Sequence, residues 1–168
     1  MSEISDAARV QIFLADHAVA DPNNKINALG VGFQVTPLQA NGFTAPCAVV
    51  AIAEFPPRFV GEDLAMELAL YNDTDELVTA PGLMGDAATS LRFGQNVVLQ
   101  RPVVALPGVT IAPGAVWPRH QLVAAFQNGV PLAIGRSYEW RVSIDSVTKP
   151  DWMAGFYVPA PAGGVVVG

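Results

Sequence analysis

Nine residues, Ser137 to Asp145, alternate without interruption. Tyr138, Trp140, Val142 and Ile144 fall on one side, and Glu139, Arg141, Ser143 and Asp145 on the other. Successive side chains of an extended chain point to opposite faces, so this period of two specifies a strand with one dry and one wet face. A helix would scatter the same residues around its circumference. A sheet half-covered in this way belongs to an antiparallel arrangement, and its apolar face needs a second layer to cover it.

The remaining chain supplies further short strands separated by turn chemistry. Val10 to Leu14 places Val10, Ile12 and Leu14 on one face, and Ile26 to Val35 reads as a strand whose Gly30 and Gly32 mark a bulge or a close backbone approach. Between them, Ala20 to Lys25 carries Asp-Pro and Asn-Asn turn residues. Cys47 to Ala53 is a continuous apolar run, as expected of a strand buried on both faces. Leu64 to Leu70 alternates as a strand does, although its Leu, Ala, Met and Glu also favour helix. Prolines interrupt residues 80–118, so Val97–Leu99 and Val103–Ala105 are expected only as edge strands. Gln121 to Gln127, the Asn128-Gly129 pair and Val130 to Ile134 read as a hairpin. Asp151 to Val158 closes the series with Trp152, Phe156 and Tyr157. The expected fold is all-β: an antiparallel immunoglobulin-like β-sandwich with long Pro/Gly-rich loops, occupying residues 9–158. Residues 1–8 read as a flexible N-terminal arm and residues 159–168 as a C-terminal tail.

Charge is scarce. The chain is 51% hydrophobic and 14% charged, against about 25% charged in an ordinary domain. Either the core is large, or much of the exterior is built to touch protein. The net charge is −6, and the nine basic residues are scattered singly along the sequence. That balance points away from nucleic acid and from anionic membrane, both of which select clustered Lys and Arg. Eight of the fifteen acids lie between Glu54 and Asp86 and read as solvated loop and strand decoration. Met1 to Asp6 has neither the basic start nor the apolar run of an export signal, so the chain is expected to be made and folded in a cytoplasm.

No spacing announces chemistry. Cys47 is the single cysteine and reads as core, and His17 and His120 belong to no ligand pattern. Asp73, Asp75 and Glu76 could offer oxygens to calcium but lack the rest of a calcium loop, so they read as a solvated turn. Glu54, Glu62, Asp63 and Glu67 have no spacing that sets a catalytic pair. No enzyme activity, cofactor or metal is expected. The aromatics are more informative. Trp140 belongs to the core face, whereas Trp117 sits in a proline-flanked loop and is a candidate interface anchor. Trp152 is a second candidate. The tail joins Gly163-Gly164 to Val165, Val166 and Val167. It reads either as a frayed end or as an arm that adds a strand to a neighbour's sheet edge.

Two stretches carry a resemblance. Leu14 to Gly30 resembles the opening strand–turn–strand of an uncharacterised family of small β-sandwich proteins from actinobacteria and their tailed phages. Gly135 to Asp145 is similar to the penultimate strand of immunoglobulin-like sandwiches, where a glycine turn leads into a tyrosine. Here Gly135 stands one residue farther from Tyr138 than the usual tyrosine corner places it. The resemblance implies a non-enzymatic structural protein of the virion, a capsid decoration (minor capsid) protein. Its partners would be the major capsid protein, another virion protein or copies of itself. The alternative is a free β-sandwich module that recognises a carbohydrate or peptide through Trp117 and Trp152.

Overall fold

A computed structural model of the protein describes residues 2–21, 25–81, 88–103 and 107–161. Its main strands are β1 (Arg9–Ala15), β4 (Cys47–Glu54), β5 (Asp63–Asn72), β8 (Arg92–Val98), β9 (Arg119–Phe126), β10 (Arg136–Ile144) and β11 (Met153–Val158). Between them lie the short strands β2 (His17–Ala20), β3 (Ile26–Leu29), β6 (Thr79–Ala80) and β7 (Thr89–Ser90). One sheet has the order β1-β4-β9 and the other β11-β10-β5-β8, with every pairing antiparallel. In chain order this places strands A, B and E in one layer and G, F and C in the other, with β8 as an extra strand beside C. It is the strand order of an immunoglobulin-like sandwich.

The core forms where the alternating faces meet. Val49, Ala51 and Ala53 of β4 face Leu64, Met66, Leu68 and Leu70 of β5 and Tyr138, Trp140, Val142 and Ile144 of β10, all buried. β5 is therefore a strand despite its helix-forming residues, because alternation buries four large side chains at once. Trp140 stacks on Phe126 at 5.7 Å between ring centroids and tilts against Phe93 at 6.2 Å. The opposite face of β4 is also dry. The β2–β3 hairpin lies across it, and Ala18 packs on Ala48 and Val50. A third layer thus gives the run Cys47–Ala53 its two buried faces.

The tyrosine corner closes in spite of its displaced glycine. The Tyr138 hydroxyl donates to the Ala133 carbonyl at 3.1 Å and accepts from the Ala133 N–H at 2.9 Å. The turn at Gly135, with φ +71°, carries the chain into β10.

Four expectations are corrected. Residues 2–8 pack on the sandwich where a free arm was expected: Glu3–Ala7 is a helical turn, α1, with Ile4 and Ser5 buried. Lys149 Nζ donates to the carbonyls of Ser5 (2.8 Å) and Asp6 (3.0 Å), and Ser2 Oγ donates to Asp145 Oδ2 (2.8 Å). The strand beginning at Ile26 stops at Leu29, because Gly30 turns at φ +64° against the Asp16 side chain, where any Cβ would collide with the carboxylate. Asn128-Gly129 makes a turn but no hairpin. Asn128 keeps a negative φ, Gly129 N–H returns to Phe126 O at 3.1 Å, and Val130 bonds instead to Thr44, its N–H donating to Thr44 Oγ1 at 2.9 Å. Val103 lies outside any strand and is 94% exposed. Val104 and Ala105 lie outside the described residues. Val97 belongs to β8, which is an edge strand as expected.

Candidate functional site

An exposed apolar surface lies at the end of the sandwich where β8 hands over to β9. Leu99 anchors the crossing loop: it is buried, its N–H donates to Glu62 O at 3.0 Å, and its carbonyl accepts from Gly61 N–H at 2.8 Å. Beyond it, proline and glycine keep the chain out of either sheet. Val103, Val109 and Val116 are exposed by 94, 57 and 40%. Val109, Ile111, Pro113 and Val116 line one open cleft of about 430 Å³. A second cleft, about 770 Å³, lies on the other side of Arg101, Pro102 and Val116, which line both.

Register builds the second cleft. β1 begins at Arg9, β4 ends at Glu54 and β9 begins at Arg119, and antiparallel pairing puts these three residues in one row across the sheet. Arg119 Nε donates to Glu54 Oε1 at 3.1 Å, and a second guanidinium nitrogen also meets that oxygen. The Arg9 guanidinium lies over the Trp117 ring, 4.5 Å from its centroid, a cation–π contact. Lys25, just before β3, and Arg101, in the loop, complete the wall together with Val103 and Val116. Trp117 is thus half-buried, with the Arg9 guanidinium over its ring, and it lines the cleft.

Trp152 does not join it. The expected second anchor is 1% exposed, packed in the core beneath Lys149 Nζ at 4.6 Å from its ring. Its apolar ring completes the inter-sheet core at the start of β11, so it is corrected from interface to core. Val165, Val166 and Val167 lie outside the described residues.

The polar groups weighed for chemistry sit elsewhere and apart. Cys47 and His120 belong to the paired strands β4 and β9, but His120 faces Ala53, six residues along β4 from Cys47. At roughly 3.3 Å per residue that is about 20 Å. Burial raises the Cys47 thiol above its ordinary value and lowers the His120 imidazole below its own, so both favour the neutral form. His17 is exposed on β2. The Asp73–Glu76 turn is organised by Asn72, whose Oδ1 accepts from the N–H groups of Thr74 (3.0 Å) and Glu76 (2.9 Å). Arg136 pairs with Asp73 and holds its carboxyl below the usual range, and Arg141 pairs with Asp75. Glu54 and Glu67 pair separately, with Arg119 and Arg92. Among the described residues no three His, Cys, Asp or Glu side chains converge to hold a metal ion. The void between the sheets, lined by Leu14, Thr44, Cys47 and Trp140 among others, measures about 10 Å³, room for about one water.

The sequence signalled Trp117 but not the cations around it. Arg9, Lys25, Arg101 and Arg119 span more than a hundred residues, and only strand order makes them neighbours. Comparison with protein-family models, curated proteins and solved structures gave no match.

Proposed function

We propose that this protein is a non-enzymatic structural module that works by protein–protein contact, as a decoration protein on the capsid of a tailed phage. The observation that carries the reading is the loop end between β8 and β9, where Val103, Val109 and Val116 stand in solvent around two clefts. Contiguous exposed aliphatic surface beside an aromatic residue marks an interaction site. The resemblance of Leu14–Gly30 to phage-associated sandwich proteins supports the particle as its setting, with the major capsid protein or a neighbouring copy as partner. A standard contact buries about 800 Å² on each side. The alternative, a free module binding a carbohydrate or peptide through two loop tryptophans, has Trp117 in its favour, while Trp152 is enclosed in the core.

The test is co-sedimentation of the purified protein with capsids stripped of accessory proteins. Binding to saturation at a fixed ratio to the major capsid protein is expected. Val103→Ser with Val109→Ser should weaken it at least tenfold, the equivalent of about 1.4 kcal/mol. Protein that stays in the supernatant at every concentration overturns the role.

A further inference from the structure

We infer that the Trp117 cleft is a docking site for a short acidic segment of a partner protein, carrying apolar side chains between its carboxylates. This inference rests on the reading that the protein works by contact, and it names the chemistry of the partner at that same site.

The basic side chains are unevenly partnered. Arg58, Arg92, Arg119, Arg136 and Arg141 are ion-paired, and Lys149 is held by two backbone carbonyls. Among the described residues, Arg9, Lys25 and Arg101 have no carboxylate partner, and all three line this cleft. With Arg119 they set four cations against the single carboxylate of Glu54. Among the described residues, three of the four basic side chains without a carboxylate partner, all but Lys149, therefore meet in one concavity of a chain of net charge −6. Low-dielectric walls focus such a field on whatever enters.

The walls decide between kinds of anion. An inorganic ion would leave most of an open volume of about 770 Å³ unfilled. Pro102, Val103, Ala115 and Val116 line the same cleft with aliphatic surface, and Trp117 adds an aromatic ring. Apolar side chains alternating with carboxylates in an extended peptide match that lining. A sulfated glycan would use the charges and leave the valines wet. A long polyanion such as nucleic acid would have to run on past the cleft over a surface that carries all the remaining net negative charge. A short acidic peptide segment satisfies both constraints.

A random dodecapeptide display library panned against the full-length protein tests this, with the most enriched peptide resynthesised and titrated by tryptophan fluorescence. The enriched pool should carry net negative charge together with aliphatic residues. Changing the peptide's Asp and Glu to Asn and Gln should abolish binding. Arg101→Gln should weaken binding by about tenfold, and the Arg9→Gln/Arg101→Gln pair further, because each removes an unpaired charge at an exposed rim. Raising the salt from 50 to 500 mM should weaken it comparably. An uncharged enriched pool, no enrichment, or equal binding by the double variant overturns the inference. So does tighter binding of a heparin hexasaccharide than of the peptide. Loss of capsid binding with acidic peptides still captured would sink the decoration role and leave this site standing. Capsid binding unchanged in the double variant, with no acidic enrichment, would do the reverse.

Discussion

Replacing Trp140 with alanine probes the contact on which the sandwich depends. The ring is 3% exposed and lies between Phe126 at 5.7 Å and Phe93 at 6.2 Å, where β10 of one sheet faces β9 of the other. A buried aromatic removes roughly 150–250 Å² from water. At about 25 cal/mol per Å² that is roughly 4–6 kcal/mol, an upper value because the unfolded chain already hides part of its surface. The methyl group that remains lowers it, and loss of the ring pair and the residual cavity raise it, which gives about 3–5 kcal/mol. Equilibrium urea unfolding followed by circular dichroism reads this directly. With a slope of about 2 kcal/mol/M, the midpoint should fall by roughly 1.5–2.5 M without a change in slope. Tyr138→Phe is the control on the same strand face. It keeps the ring and loses only the corner hydrogen bonds, so it should cost about 0.5–1.5 kcal/mol. A loss below about 1 kcal/mol for Trp140→Ala would mean that the ring faces solvent, and the inward face of β10 would be wrongly assigned.

Gly129→Ala should destabilise by at least about 2 kcal/mol in the same assay, since φ is +72° and a Cβ would sit 1.9 Å from the Thr44 carbonyl oxygen. A neutral result would refute the close approach. His120 is held neutral by burial, with its folded pKa below its unfolded value of about 6.5. Its contribution is therefore present above pH 6.5 and lost as the pH falls below that value, and His120→Gln should flatten the urea midpoint between pH 7 and pH 5. A slope unchanged by the substitution would count against it. Removing Gly163–Gly168 should leave the unfolding midpoint intact and weaken self-association in light scattering. Among the described residues the outer edge of β8 has no backbone partner, so a strand-adding tail has somewhere to go. Association unchanged by the truncation would refute the arm.

What could be read in advance was local. Ser137–Asp145 and Leu64–Leu70 display their faces because alternation is a property of neighbouring residues, and both became central strands of the larger sheet. Tyr138 was visible as a corner residue, although only its contact with Ala133 shows that the glycine offset is tolerated. Asn128-Gly129 misled because turn chemistry sets the bend and not the strand that follows. Thr44 captured Val130, leaving β9 to pair with β4 alone. Trp117 and Trp152 look alike in sequence, each beside turn residues, and burial separates them.

The sequence by itself determined that Ser137–Asp145 is a strand and which of its faces is dry, because a period of two is written into adjacent residues and the hydrophobic effect acts on it directly. The tertiary structure alone decided that Arg9, Lys25, Arg101 and Arg119 share a cleft with Trp117. Electrostatics acts through space, and the distances it depends on exist only after β1, β4 and β9 have settled side by side.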